Sequence, residues 1–68
     1  MTLTEQIRAV KREIDYRKRL YPKWVAEGKL EQKEANYQIE VMEYVLNTLT
    51  ALLDFHRSYI TKNEKLFK

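Results

Sequence analysis

The chain has 68 residues, a net charge of +3 at pH 7, one histidine and no cysteine. A domain of this size buries only about 60% of its unfolded surface and usually needs a disulfide, a metal or self-association for stability. The composition excludes disulfides, thiolate metal sites and a histidine-rich metal site, so self-association is the device that remains.

The first predicted element is a helix over residues 4–27. Thr2 stands three residues before Glu5, which is the spacing of a capping box, and Thr4 is an alternative cap. A seam then repeats at steps of four and three, as a helix face requires. Its members are Leu3, Ile7, Val10, Ile14, Arg17, Tyr21 and Trp24. Arg17 is the one charged residue that interrupts it.

Two residues predict how this helix bends and ends. Pro22 lacks a backbone donor and clashes with the preceding turn, so we expect a kink or break at residues 18–21. Gly28 is the only glycine, and glycine readily adopts the left-handed conformation that terminates helices.

The second predicted element is a longer helix over residues 31–62, followed by a frayed basic tail at 63–68. It carries two apolar stripes with the same four-three spacing. The first stripe is Ala35, Ile39, Met42, Leu46, Leu49, Leu53, His56 and Ile60. The second is Val41, Val45, Thr48, Leu52, Phe55 and Tyr59.

The turn between the helices is short, which predicts an all-α fold of one domain, an antiparallel two-helix hairpin. One hairpin cannot cover both stripes, and helix 2 is longer than helix 1, so its carboxyl-terminal end extends past helix 1. We therefore expect a homo-oligomeric helical bundle, with a dimeric four-helix bundle the simplest form. The predicted interface comprises Leu46, Leu49, Leu52, Leu53, Phe55, His56, Tyr59 and Ile60.

Charge is distributed unevenly along the chain. Residues 1–29 hold eight basic and four acidic side chains, whereas residues 30–60 hold two basic and five acidic ones. Six cations largely share the outer side of helix 1: Arg8, Lys11, Arg12, Lys18, Arg19 and Lys23. Such a stripe either tracks phosphates of a nucleic acid or is a solvated face matched to the acidic second helix.

The stretch "YRKRLYPKWVAEGK" (residues 16–29) is the candidate ligand site. Guanidinium groups bind phosphate and aromatic rings stack on bases, which together favour an anionic nucleotide. The predicted ligand-binding residues are Arg17, Lys18, Tyr21, Lys23 and Trp24, with Tyr16 and Arg19 outside them. Arg17 on the seam needs an acid on helix 2 or an anionic ligand. The alternative is that Tyr21 and Trp24 are core residues and Arg17 is paired internally.

No catalytic pattern is present in the sequence. There is no nucleophile elbow, and no glutamate is followed by histidine three residues later, as bundle di-metal sites require. His56 on an apolar seam is more typical of packing than of catalysis. The sequence predicts a protein that is not an enzyme and has no cofactor or metal.

The chain also lacks the roughly 18-residue apolar run of a membrane span and a signal peptide over residues 1–10. A cytoplasmic protein without membrane contact is therefore expected.

Residues 17–53 resemble a group of small, mostly uncharacterised phage and prophage proteins. The residues that carry this resemblance are the "YPKWVAEGK" block, Gln32, Ala35 and the run from Ile39 to Leu52. The chain departs from the group at Glu31, where relatives place a serine or similar cap. The resemblance implies a phage accessory protein of the host cytoplasm, acting against host defence. It would bind either a host defence protein or the nucleotide signals that defence systems make.

Overall fold

A computed structural model describes residues 1–66, with side chains described through Tyr59. Within this part the chain is all-helical, with α1 at Leu3–Ala26 and α2 at Gln32–Leu66. The predicted two-helix hairpin is confirmed. Helix α1 begins and ends one residue earlier than predicted, while α2 begins one residue later and ends four residues later. Of the predicted basic tail, Phe67 and Lys68 lie outside the described residues.

Thr2, rather than Thr4, caps the start of α1. Its hydroxyl accepts a hydrogen bond from the main-chain N–H of Glu5 at 3.1 Å, and its carbonyl accepts from the N–H of Gln6 at 3.1 Å. The same hydroxyl donates to the Glu5 carboxylate at 3.2 Å. Thr2 thereby satisfies donors that an uncapped helix start leaves without partners.

Gly28 ends α1 as predicted. Its φ of 75° is left-handed, and its N–H donates to the carbonyl of Val25 at 3.0 Å. The N–H of Lys29 donates to the carbonyl of Trp24 at 2.9 Å. These two bonds form a Schellman motif, which satisfies the last carbonyls of the helix and reverses the chain toward α2.

Helix α1 continues through Pro22 to Ala26. The break expected at residues 18–21 does not occur, and a kink there stays a prediction. Proline removes one backbone donor, but bonds further along the helix persist, including that from the N–H of Glu27 to the carbonyl of Lys23 at 3.0 Å.

The contact between the helices follows the predicted seams. Among the side chains described, only Ile7, Ile14 and Ala35 are buried. The rest of the α1 seam is half-buried, and so are the members of the first α2 stripe from Ile39 to Leu53. His56 is exposed, and the side chain of Ile60 lies outside those described. The hairpin interior is therefore one seam wide.

The hairpin is elongated, with principal extents of 61 × 18 × 14 Å. Its accessible surface is 5763 Å², whereas a compact monomer of 8.3 kDa exposes only about 4600 Å². A single copy thus leaves much more surface in solvent than a folded chain of its mass normally does.

Candidate functional site

The predicted ligand residues do not form one pocket. They divide into three groups according to the part of α1 on which they lie. Arg17, Tyr21 and Trp24 are half-buried against α2, and Lys18 lies at one edge of the helix interface. The remaining three are exposed: Tyr16, Arg19 and Lys23.

Arg17 finds its partners inside the chain. Its Nε donates to the Glu13 carboxylate at 2.8 Å, and its Nη1 donates to the main-chain carbonyl of Gln38 on α2 at 3.0 Å. The Arg17 side chain is 21% exposed. Of the two partners expected for this charge, an acid and an external anion, the structure provides an acid, although from α1 rather than α2.

Lys18 is also paired. Its Nζ lies 3.6 Å from the carboxylate of Glu43 on α2, and both side chains are about half exposed. This ion pair joins the basic first helix to the acidic second helix. Because solvent screens exposed pairs of this kind, it stabilises the hairpin only slightly.

Tyr21 and Trp24 form an aromatic pair at the turn end of the hairpin. Their ring centroids are 5.6 Å apart with an interplanar angle of 32°, and the guanidinium carbon of Arg17 lies 6.0 Å from the Tyr21 centroid. Both aromatic residues are half-buried. These rings are therefore partly covered and contact each other, which leaves only part of each ring open to a ligand.

The cations that stay open to an outside ligand lie on the surface of α1 turned away from α2. We call this surface the outer face of α1. Its residues are all exposed and recur at helical spacing: Arg8, Arg12, Tyr16, Arg19 and Lys23. Among the side chains described, the four cations make no ion pair with α2. Of the six cations in the predicted stripe, Lys18 alone forms an ion pair with α2 among the side chains described.

A second open surface is the outer face of α2, and it is apolar. Its members follow the second stripe predicted from the sequence, joined by two tyrosines that lie beside it. They are Tyr37, Val41, Tyr44, Val45, Thr48, Leu52, Phe55 and Tyr59, all of them exposed. Tyr44 is 64% exposed and Phe55 is 69% exposed. Eight neighbouring positions without a charge thus face solvent in a single copy.

The sequence interpretation missed Tyr37 and Tyr44. The available signal was the spacing of residues 37, 41, 44 and 48, which repeats at steps of four, three and four. Tyrosine is amphipathic and is ordinary on a solvated surface, so only its alignment with Val41 and Thr48 marks it as part of an apolar stripe.

The outer face of α2 is grooved as well as apolar. A shallow groove of about 380 Å³ is lined by Val41, Tyr44, Val45, Thr48 and Leu49. Further along the helix, the rings of Phe55 and Tyr59 stack with centroids 6.4 Å apart. An apolar groove beside a pair of stacked rings is suited to receive apolar side chains of another helix.

The predicted oligomer interface divides between two sides of α2. Leu46, Leu49 and Leu53 are half-buried, so these three predicted interface residues are already partly covered within a single copy. Leu52, Phe55, His56 and Tyr59 are exposed.

The described residues hold no group of three or more histidine, aspartate or glutamate side chains placed to bind a metal ion. They also include no helix with the length and apolar character needed to cross a membrane.

Comparisons with protein-family models, with curated proteins and with solved structures found no match to this chain. The resemblance to small phage and prophage proteins thus stays a prediction. The fold and the two outer faces define the class of molecule at hand: a helical hairpin with one basic surface and one apolar surface.

Proposed function

We propose that this protein is a small binding protein that works as a homo-oligomer, with the outer face of α2 as the interface between copies. One observation carries the proposal. The hairpin buries a single seam, whereas a continuous row of apolar and aromatic residues stays exposed along α2. Contiguous apolar patches of this extent on soluble proteins mark interaction sites.

The exposed area suits a stable interface. Four aromatic side chains on this face are 57–69% exposed, and at 150–250 Å² for each fully exposed ring they present roughly 500 Å². Leu52, Val41 and Val45 add to that area. A standard interface buries about 800 Å² on each partner, and aromatic residues contribute most of the binding energy in such interfaces.

Light scattering on matched variants tests this assembly. Wild-type protein should have a mass at least twice the 8.3 kDa of one chain. Leu52→Glu should lower that mass, because it places a charge in the apolar face. Thr50→Glu is the control: it introduces the same charge two residues away, on the other side of the helix. A wild-type monomer, or equal behaviour of the two variants, would contradict the proposal.

The ligand proposed for the assembly is anionic and is held on α1. Following the resemblance, it is a nucleotide, and the protein is a phage-type accessory factor acting against host defence. The support is chemical. Arg19 and Lys23 are exposed cations, and Tyr16 on the same outer face offers a ring for base stacking. Because Arg17 and Lys18 are already paired, the ligand would contact the outer face rather than the helix interface.

Thermal-shift measurements with a panel of cyclic and linear nucleotides test this ligand. A nucleotide at 100 times its dissociation constant stabilises the folded state by about 2.7 kcal/mol. The double variant Arg19→Gln with Lys23→Gln should lose the shift. Lys33→Gln, an exposed cation on α2, should keep it. A panel without any shift would contradict nucleotide binding.

Two alternative functions are also proposed, and each has its own test. Binding of a short DNA duplex that weakens steeply with salt, and that is lost on Arg8→Gln with Arg12→Gln, would support nucleic-acid binding by the same face. Stoichiometric capture of one purified host defence protein, lost in Leu52→Glu, would support a protein inhibitor that uses the outer face of α2.

A further inference from the structure

The outer face of α2 is close to symmetric about its middle. Measured from Thr48, Val41 and Phe55 are each seven residues away, Tyr44 and Leu52 each four, and Tyr37 and Tyr59 each eleven. All seven of these residues are exposed on the described chain. The spacing of this row is therefore the same in both directions along the helix. Every residue in the row except Thr48 is apolar or aromatic.

We propose that the partner on this face is a second copy of the chain, packed antiparallel, with the twofold axis passing at Thr48. A twofold interface places the same patch on both subunits. Each residue before Thr48 therefore meets the residue that lies the same number of positions after Thr48 in the other copy. Tyr44 then faces Leu52 of the second copy, Val41 faces Phe55, and Tyr37 faces Tyr59. This inference rests on the proposed self-association and adds its direction and register.

Packing chemistry favours this register over a parallel one. Antiparallel alignment places each smaller aliphatic residue opposite a ring, since Val41 meets Phe55 and Leu52 meets Tyr44. Alternating large and small residues let helices interdigitate at native density. Parallel alignment in register would instead set each residue against its own kind, ring against ring and valine against valine, which fills the interface unevenly. In the antiparallel register only the Tyr37–Tyr59 pairs, at the two ends of the face, set ring against ring. Thr48 at the axis is uncharged and small, so the helices approach closely there.

Electrostatics also suit a second copy as the occupant. None of the eight residues of the face is charged, so two copies bring together no like charges at the centre. The basic outer face of α1 is turned away from α2, so the strongest positive charge of each copy stays in solvent. In the antiparallel arrangement the two α2 dipoles also point in opposite directions, which is favourable for neighbouring helices, whereas a parallel arrangement points them the same way.

The absence of cysteine gives a direct test by single-cysteine cross-linking. Helix axes 8–10 Å apart, with Cα atoms on cylinders of about 2.3 Å radius, leave roughly 3.5–5.5 Å between facing Cα atoms. Disulfides span Cα separations of about 4.4–6.8 Å. Thr48→Cys should therefore form a covalent dimer under mild oxidation, reversible by dithiothreitol.

Matched variants fix the direction. Val41→Cys alone and Phe55→Cys alone should not cross-link to themselves, while a mixture of the two should give the mixed dimer. Thr50→Cys, exposed on the other side of the helix, is the control. Facing thiols in a dimer have effective concentrations near millimolar. At about 10 µM protein, Thr48→Cys should therefore cross-link on the order of 100-fold faster than Thr50→Cys.

The outcomes separate the register from the assembly itself. Self-linking of Val41→Cys would show a parallel dimer and overturn the proposal. A dimer by light scattering in which Thr48→Cys links no faster than Thr50→Cys would overturn the register while the proposed self-association stands. A monomer by light scattering would overturn both. Circular dichroism of each reduced variant verifies that the helices are retained.

Discussion

The Nη1 of Arg17 on α1 donates a 3.0 Å hydrogen bond to the main-chain carbonyl of Gln38 on α2. With its Nε on Glu13, the guanidinium joins a carboxylate on its own helix to the backbone of the other. A planar, forked guanidinium holds the two acceptors with two different nitrogens in a fixed geometry, whereas an ammonium group offers donors from a single nitrogen. Arg17 thereby occupies a seam position without leaving a buried charge unpaired.

This geometry predicts an asymmetric pair of mutational effects. Arg17→Lys should lower the free energy of unfolding by about 1 kcal/mol, because one of two charge-assisted bonds is lost in a partly buried site. Glu13→Gln should cost less, since its side chain is 43% exposed and an amide oxygen still accepts from Nε. Urea denaturation at fixed protein concentration measures both changes. An equal or larger loss for Glu13→Gln would show that the ion pair, rather than the inter-helix bond, matters most.

Gly28 should tolerate substitution poorly for a purely conformational reason. A Cβ added there meets no atom within 4 Å, but the φ of 75° disfavours side chains. Gly28→Ala should therefore cost about 1 kcal/mol, which lowers Tm by about 4–8 °C in a domain of this size. Gly28→Asn should cost less, because asparagine adopts the left-handed conformation more readily. Scanning calorimetry checks the order, and equal losses for the two variants would contradict it.

Ala35 marks the tightest point of the helix interface. It is 1% exposed, so a larger side chain there must push the helices apart. Ala35→Leu should destabilise the hairpin by about 1–3 kcal/mol. Ala26→Leu, at the exposed last residue of α1, should change stability by less than about 0.5 kcal/mol. Denaturant titration compares the two, and a neutral Ala35→Leu would mean that the seam has room that the structure does not show.

Self-association predicts that stability depends on concentration. If folding and assembly are linked, Tm should rise with protein concentration, because mass action favours the assembled state. Leu52→Glu should flatten that dependence, whereas Thr50→Glu should not. Thermal melts by circular dichroism over a hundredfold range of concentration measure it. A wild-type Tm that stays constant over this range would contradict assembly through α2.

Local features of the fold were predictable because each depends on a few neighbouring residues. The cap at Thr2 and the helix end at Gly28 follow from backbone chemistry that acts within one turn. The four-three spacing fixed which residues of α1 and α2 form the seam. Pro22 was harder to interpret, since the number of surrounding helical bonds that persist decides whether a proline breaks a helix.

The candidate site was less predictable from sequence. Arg17 on a seam indicated an unsatisfied charge, but its partner Gln38 is 21 positions away and contributes a main-chain carbonyl, which no side-chain pattern reveals. In the same way, spacing alone placed Leu46, Leu49 and Leu53 together with Leu52 and Phe55. Only the position of α1 beside α2 shows that the first three are partly covered.

The sequence by itself determined the number of helices, the turn at Gly28 and the excess of apolar stripes over what one hairpin covers, because these depend on periodicity and local backbone preference. The tertiary structure decided which stripe of α2 is covered and which cations stay open. Both depend on the rotation of one helix against the other, which is set by packing at Ile7, Ile14 and Ala35 and by the bond from Arg17 to Gln38.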